Sequence, residues 1–180
     1  MLPSLESKIE AAIKAGSLSR HKVLLEEGEQ NVRQLWLRRP DVTELLTSEK
    51  LDPRQRATVN AALKRFIVGG SFTVVTKDCT HKEVESLGDI RELKGYTPPF
   101  LELRFKPPKH DLRLFGRCVG KDLLILTSYG MKSLTEHTGE KPLSVREHHA
   151  RCNAFFKMLG LDPKWVPSTM IESFSNAEFL

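Results

Sequence analysis

Apolar residues recur every third or fourth position in some parts of this chain and every second position in others. In the first part the helical spacing dominates. Ser4 reads as a cap for a helix with Leu5, Ile9, Ala12 and Ile13 on one face, stopped by Gly16. The pattern continues as a helix from Ser17 or Ser19 to Gly28, and another carrying Val32, Leu35 and Trp36 that ends before Pro40. A further short piece begins at Asp41. The strongest helix follows: Asp52 caps it, Pro53 takes its first position, and Val59, Ala62, Leu63, Phe66 and Ile67 form its stripe up to Gly69-Gly70.

After Gly70 the period shortens to two. SFTVVTKD (71–78) predicts a strand, and residues 79–98 read as polar and irregular. Leu101, Leu103 and Phe105 alternate with Glu102, Arg104 and Lys106, as in a half-buried strand with one wet face. Pro107-Pro108 breaks it, and Leu112–Val119 predicts the next strand. Leu123–Leu126 is continuously apolar, as expected of a central strand covered on both sides. Residues 130–141 read as a polar loop. A helix then runs from Pro142 to about Leu159, with Val145, His149, Cys152, Phe156 and Leu159 on one face. The order of helices, meander and helix predicts an α+β fold: a small antiparallel sheet with packed helices. Its parts are an N-terminal helical extension (1–50), an α+β domain (51–160) and a C-terminal tail (161–180).

Composition adds a direction. The 180 residues carry a net charge of +5, and 39% are hydrophobic, enough for a core. Residues 1–50 hold eight cations and eight acids, whereas residues 101–133 hold seven cations and three acids. The excess therefore lies in the predicted meander, where phosphate binding is one use for it. No apolar run approaches the roughly 20 residues of a membrane span, so a cytoplasmic protein with no membrane partner is expected. Cys79, Cys118 and Cys152 are an odd set without a pairing motif and read as reduced thiols. His148, His149 and Cys152, or Cys79 and His81, fall short of four converging ligands, so neither a metal nor another cofactor is expected. His149 and Cys152 read as core residues of the last helix.

On spacing alone, the individual cations stay open to two readings. Arg104 fits either a solvated strand face or a phosphate ligand. Arg113 and Arg117 share one side of a strand with Phe115 between them, which suits base stacking beside phosphate or a cation–π cluster. Lys106, Lys109 and Lys121 fall at turns, and Tyr129 fits a core ring with a wet hydroxyl.

Four segments, in order, resemble the RelE/HigB-type toxin family, including its phage-derived members. They are DIRELKGYTPPFLELRF, DLRLFGRC, KDLLILTSYGMKS and EKPLSVREHHARCNAFFKML, within residues 52–159. The resemblance implies a RelE-like fold and a metal-independent endoribonuclease that cuts messenger RNA, on the ribosome in many members. The chemistry would be attack of the 2′-hydroxyl on the adjacent phosphate. It implies Arg104, Arg113, Tyr129 and Lys132 as catalytic residues, and Arg117, Lys106 and Lys141 as RNA contacts. RNA and an antitoxin protein are the implied partners. The alternative is a non-catalytic phage- or plasmid-derived module that binds nucleic acid or protein through the same face. Two departures stand out. The family opens on a strand where this chain shows a helical pattern, and its His-Gly-Phe position reads Thr127-Ser128-Tyr129.

Overall fold

The computed structural model describes residues 4–76, 90–105, 112–131, 142–161, 166–169, 173–175 and 177–179. Four helices are present among them: α1 (Leu5–Lys14), α2 (Asp41–Thr47), α3 (Pro53–Ile67) and α4 (Val145–Met158). Eight strands form one sheet: β1 (Leu18–Arg20), β2 (Gln34–Arg38), β3 (Phe72–Val75), β4 (Ile90–Glu92), β5 (Leu101–Phe105), β6 (Leu112–Cys118), β7 (Leu123–Met131) and β8 (Ala177–Phe179). Their spatial order is β1-β2-β7-β6-β5-β4-β3-β8.

The α+β class holds, but the sheet is neither small nor purely antiparallel. β2 lies parallel to β7, and β3 lies parallel to both β4 and β8. The antiparallel meander β5-β6-β7 sits in the middle, as its alternating and apolar runs require. Apolar clusters cover both faces. On one face α2 and α3 pack over Leu35, Leu37, Leu114, Leu124 and Leu126. On the other, α1 and α4 pack over Trp36, Phe100, Phe115 and Ile125. The result is helices, sheet, helices.

The helical reading of the first fifty residues is corrected at two places. Residues 18–20 and 34–38 are strands, not helices. Leu35 and Leu37 enter one apolar cluster and Trp36 the other, so β2 is buried on both faces beside β7. A continuous apolar triplet fits a covered strand as well as a helix, and pairing with β7 decides between them. β4 was also hidden within a polar stretch. At the tail, Phe174 is buried against Phe66 and Phe72 with edge-on rings, and β8 extends the sheet, so the described part is docked.

Local chemistry fixes the frame where the sequence said it would. Asp52 accepts from the Arg54 and Gln55 backbone amides, and the Gln55 side chain reaches back to the Asp52 amide. That capping box stabilises α3 by about 1 kcal/mol. Ser144 and Glu147 do the same for α4, which begins at Val145 and not, as the sequence suggested, at Pro142. Between Phe115 and Gly116 the β6–β7 register slips by one residue. A β-carbon on Gly116 would lie 2.1 Å from the Ile125 carbonyl oxygen, so only glycine fits that approach. The extra residue is on β7, where Thr127 has no register partner, so Phe115 and Arg117 on β6 keep the same side, facing α4.

Candidate functional site

The α4 face of the central meander gathers the polar side chains. In the β5–β6 ladder Arg104 stands directly opposite Arg113, and Glu102 opposite Phe115. Two like charges paired across strands repel. Glu102, two residues from Arg104 and thus on the same face, relieves that repulsion. Its Oε2 accepts from Arg104 Nε at 2.8 Å and its Oε1 from Arg113 Nη1 at 2.8 Å. The Glu102 side chain is 1% exposed, that of Arg104 14% and that of Arg113 38%. One buried carboxylate thus holds two guanidiniums, the second of which reaches solvent.

Beside this triad lies His148, in the first turn of α4. Its ring stacks on Phe115 at 4.1 Å between centroids, and its Nδ1 lies 2.9 Å from Ser128 Oγ. A β-carbon on Gly130 would come within 3.3 Å of His148 Nε2, so the absent side chain leaves room for the imidazole. Burial, reinforced by the Arg151 charge, pulls the His148 pKa down to about 4, against the opposing pull of Glu147 and Glu102. The imidazole is therefore neutral at pH 7.

Arg117 shares this face but sits further along β6. It is 5% exposed, its guanidinium lies 5.5 Å from the Phe156 ring centre, and its Nε is buried without a partner. Its Nη2 is 3.2 Å from His149 Nε2. Arginine can only donate, so that nitrogen accepts and the His149 proton sits on Nδ1. Burial lowers the proton affinity of both groups.

The structure therefore brings Arg104 and Arg113 together and sets Arg117 on the same face beyond Phe115. Tyr129 does not join them. It alternates with Ser128 and Gly130 onto the opposite face, packs on the α2–α3 side, and accepts from Lys50 Nζ at 3.3 Å. A period of two between consecutive β7 residues separates Tyr129 from the arginines. Lys132, Lys106 and Lys141 lie outside the described residues, as do Lys109, Cys79 and His81.

Two residues were missed by sequence reasoning. Glu102 looked like one more solvated position of an alternating strand, yet its spacing of two from Arg104 already placed the opposite charges side by side. His148 was passed over for His149, but α4 buries His148 with Cys152, Phe155 and Phe156, and leaves His149 half-buried against Tyr96 and Phe100. Cys118 and Cys152 are buried free thiols whose pKa values burial pushes up, as befits small core residues.

Among the described residues, no three His, Cys, Asp or Glu side chains cluster in a way that could hold a metal ion. No helix among them is long and apolar enough to cross a membrane. No protein-family model matches the chain, and neither a curated protein nor a solved structure matches it.

Proposed function

We propose that the protein is a metal-independent endoribonuclease of the RelE/HigB-like toxin kind, acting on messenger RNA through the α4 face of its meander. The observation that carries this reading is the convergence of Arg104 and Arg113 on Glu102, beside the neutral His148. Cleavage by the RNA's own 2′-hydroxyl concentrates negative charge on phosphate oxygens, and fixed guanidiniums stabilise that charge. In the resting protein Glu102 serves as their counter-ion. An incoming phosphodiester competes for the same donors. Glu102, the carboxylate that both guanidiniums hold, is assigned to take the 2′-proton. The 2′-oxygen then bonds to phosphorus, the bond to the 5′-oxygen breaks, and the leaving oxygen takes a proton. The family resemblance implies Lys132, together with Tyr129, in assisting proton transfer. His148 stays uncharged and holds Ser128 and Phe115 in place behind the phosphate.

The test is RNA digestion by the purified protein in EDTA, with free RNA and with translating ribosomes. Expected products carry 2′,3′-cyclic phosphate and 5′-hydroxyl ends, and Arg113→Ala should reduce cleavage by about 100-fold or more. A strict metal requirement, or intact RNA under every condition, would sink the proposal.

One observation favours a second reading. Both guanidiniums already donate to a carboxylate that is 1% exposed, and Tyr129 faces away. A non-catalytic module that grips nucleic acid or a protein partner through Arg113 needs no proton transfer. It would bind RNA with a steep salt dependence and leave it whole. Growth arrest on expression distinguishes the two, since the enzyme should halt growth and the module should not.

A further inference from the structure

The segment that leaves β1 runs along an open border of the sheet. β1 is the outermost strand on that side, and among the described residues no strand lies beyond it. From Arg20 the sequence reads RHKVLLEE: two cations, an apolar centre at Val23-Leu24-Leu25, then Glu26 and Glu27. The far end is fixed by a turn. The Glu29 amide donates to the Glu26 carbonyl, the Glu26 amide donates to Glu29 Oε2 at 2.7 Å, and Gly28 takes a φ of 85°. Lys64 of α3 holds both carboxylates, at 2.7 and 2.9 Å. The segment is thus held in shape before any partner arrives, which lowers the ordering cost of a contact.

Its apolar centre faces water. Leu24 is 88% exposed, while Val23 packs on the α2–α3 cluster. Leu24 stands at the rim of an open cleft of about 570 Å³, whose apolar lining includes Val23, Leu37 and Leu46. The flanking charges are unmatched. Arg20 lies opposite Trp36, on the α1–α4 side of the sheet, and Lys22 alternates out to solvent. Neither has an ion-pair partner among the described residues, and the exposed Glu27 has none there either. Glu26 is 79% exposed and meets Lys64 through Oε1 alone.

We propose that this segment is a self-recognition surface, pairing two copies of the chain about a two-fold axis at Leu24. A two-fold contact must be self-complementary, because the same residues stand on both sides of it. The charge order meets that requirement when the copies run antiparallel. Lys22 then meets the partner's Glu26, Arg20 reaches the partner's Glu27, and each pair occurs twice. Running the copies parallel would set like charges together. Leu24 packs against the partner's Leu24 across the axis, and the cleft beside them gives both side chains an apolar seat. Exposed ion pairs contribute little by themselves, so the leucines supply most of the affinity and the charges set the register. Stable interfaces bury about 1,200–2,000 Å². An eight-residue strip and the rim of the cleft fall at the low end of that range, so the dimer is reversible, with a Kd on the order of 10 μM. Arg104 and Arg113 take no part in it.

The experiment is sedimentation equilibrium of the full chain from about 1 μM to about 1 mM. Dimers should grow in with concentration. Leu24→Ser should weaken them by about tenfold or more, with unchanged circular dichroism. Arg20→Glu with Lys22→Glu, and separately Glu26→Lys with Glu27→Lys, should each weaken them by about tenfold. An equimolar mixture of those two double variants should regain the wild-type affinity, since each supplies the charges that the other lacks. Three results overturn the proposal. One is a monomer throughout the concentration range. Another is a mixture no more associated than either double variant alone. The third is a dimer whose affinity Leu24→Ser leaves unchanged, which would put the interface elsewhere on the molecule.

Discussion

Two arginine centres in this molecule use the same side chain for opposite ends. Arg33, just before β2, is 1% exposed. Its Nη1 donates to the Phe66 and Gly70 carbonyls at 2.9 and 3.1 Å, its Nη2 to the Ser175 carbonyl, and its Nε to Asp122 at 3.3 Å. Phe72 lies beneath it at 4.6 Å. Asp122, held in the left-handed region at φ 58°, also accepts from the Ser175 amide at 2.8 Å. One guanidinium thus ties β2, α3, the β6–β7 turn and the C-terminal segment together, largely through neutral carbonyls. Arg104 and Arg113 instead share one carboxylate at an edge that reaches solvent. Carbonyl acceptors belonging to the backbone cannot leave, so Arg33 is committed to the fold. A side-chain carboxylate can be displaced by a phosphate, and that exchange is what the proposed function asks of Arg113.

The comparison can be broken most decisively at Arg33. Arg33→Met should destabilise the protein by about 3–5 kcal/mol, because the buried carbonyls and Asp122 lose their donor. Urea unfolding measures it, and a loss under 1 kcal/mol would remove the distinction between the centres. Arg113→Ala should do the reverse. Arg104 still pairs with Glu102, so stability should change by less than about 1 kcal/mol while RNA cleavage falls by about 100-fold.

A pH series sharpens the contrast at His148. Its folded pKa of about 4 lies below the ordinary 6.5, so the unfolded chain binds the proton first. The stability tied to a neutral His148 is complete above about pH 6.5, falls as pH drops, and is gone near pH 4. The full loss is on the order of 3 kcal/mol. Unfolding midpoints of the wild type and His148→Gln, compared at pH 7 and pH 4, should converge toward the acid end. Equal slopes in both proteins would remove His148 from the account. The smallest effect is expected at Tyr129. Tyr129→Phe removes only the exposed contact with Lys50, so stability should move by less than about 0.5 kcal/mol and cleavage should hold. A large fall in cleavage would mean that the tyrosine's face takes part.

Much of the frame was legible from local patterns. The boundaries of α1 and α3 follow from Ser4, Asp52, Pro53 and the Gly69-Gly70 stop. The strands β5, β6 and β7 follow from their alternation and their continuous apolar run. The placement of Arg113 and Arg117 on one side follows from a period of two, and the bulge at Phe115/Gly116 leaves that parity intact. What failed was any position whose partner is distant in sequence. β1 and β2 resemble helix as readily as strand until β7 lies beside them. Tyr129 joins the arginines only through the family resemblance, since order along the chain does not say which face a residue takes relative to another strand. Glu102 reads as solvated until Arg113, eleven residues on, is set against it.

The amino-acid order alone determined the caps, the punctuation by Gly and Pro, and the concentration of cations in the meander, because these depend on neighbours within a few residues. Tertiary structure decided that strands before and after α3 join one mixed sheet, that His148 rather than His149 is buried, and that one carboxylate holds two arginines. Those outcomes turn on desolvation and on pairing between segments far apart in the chain, whose free energies do not exist until the segments meet.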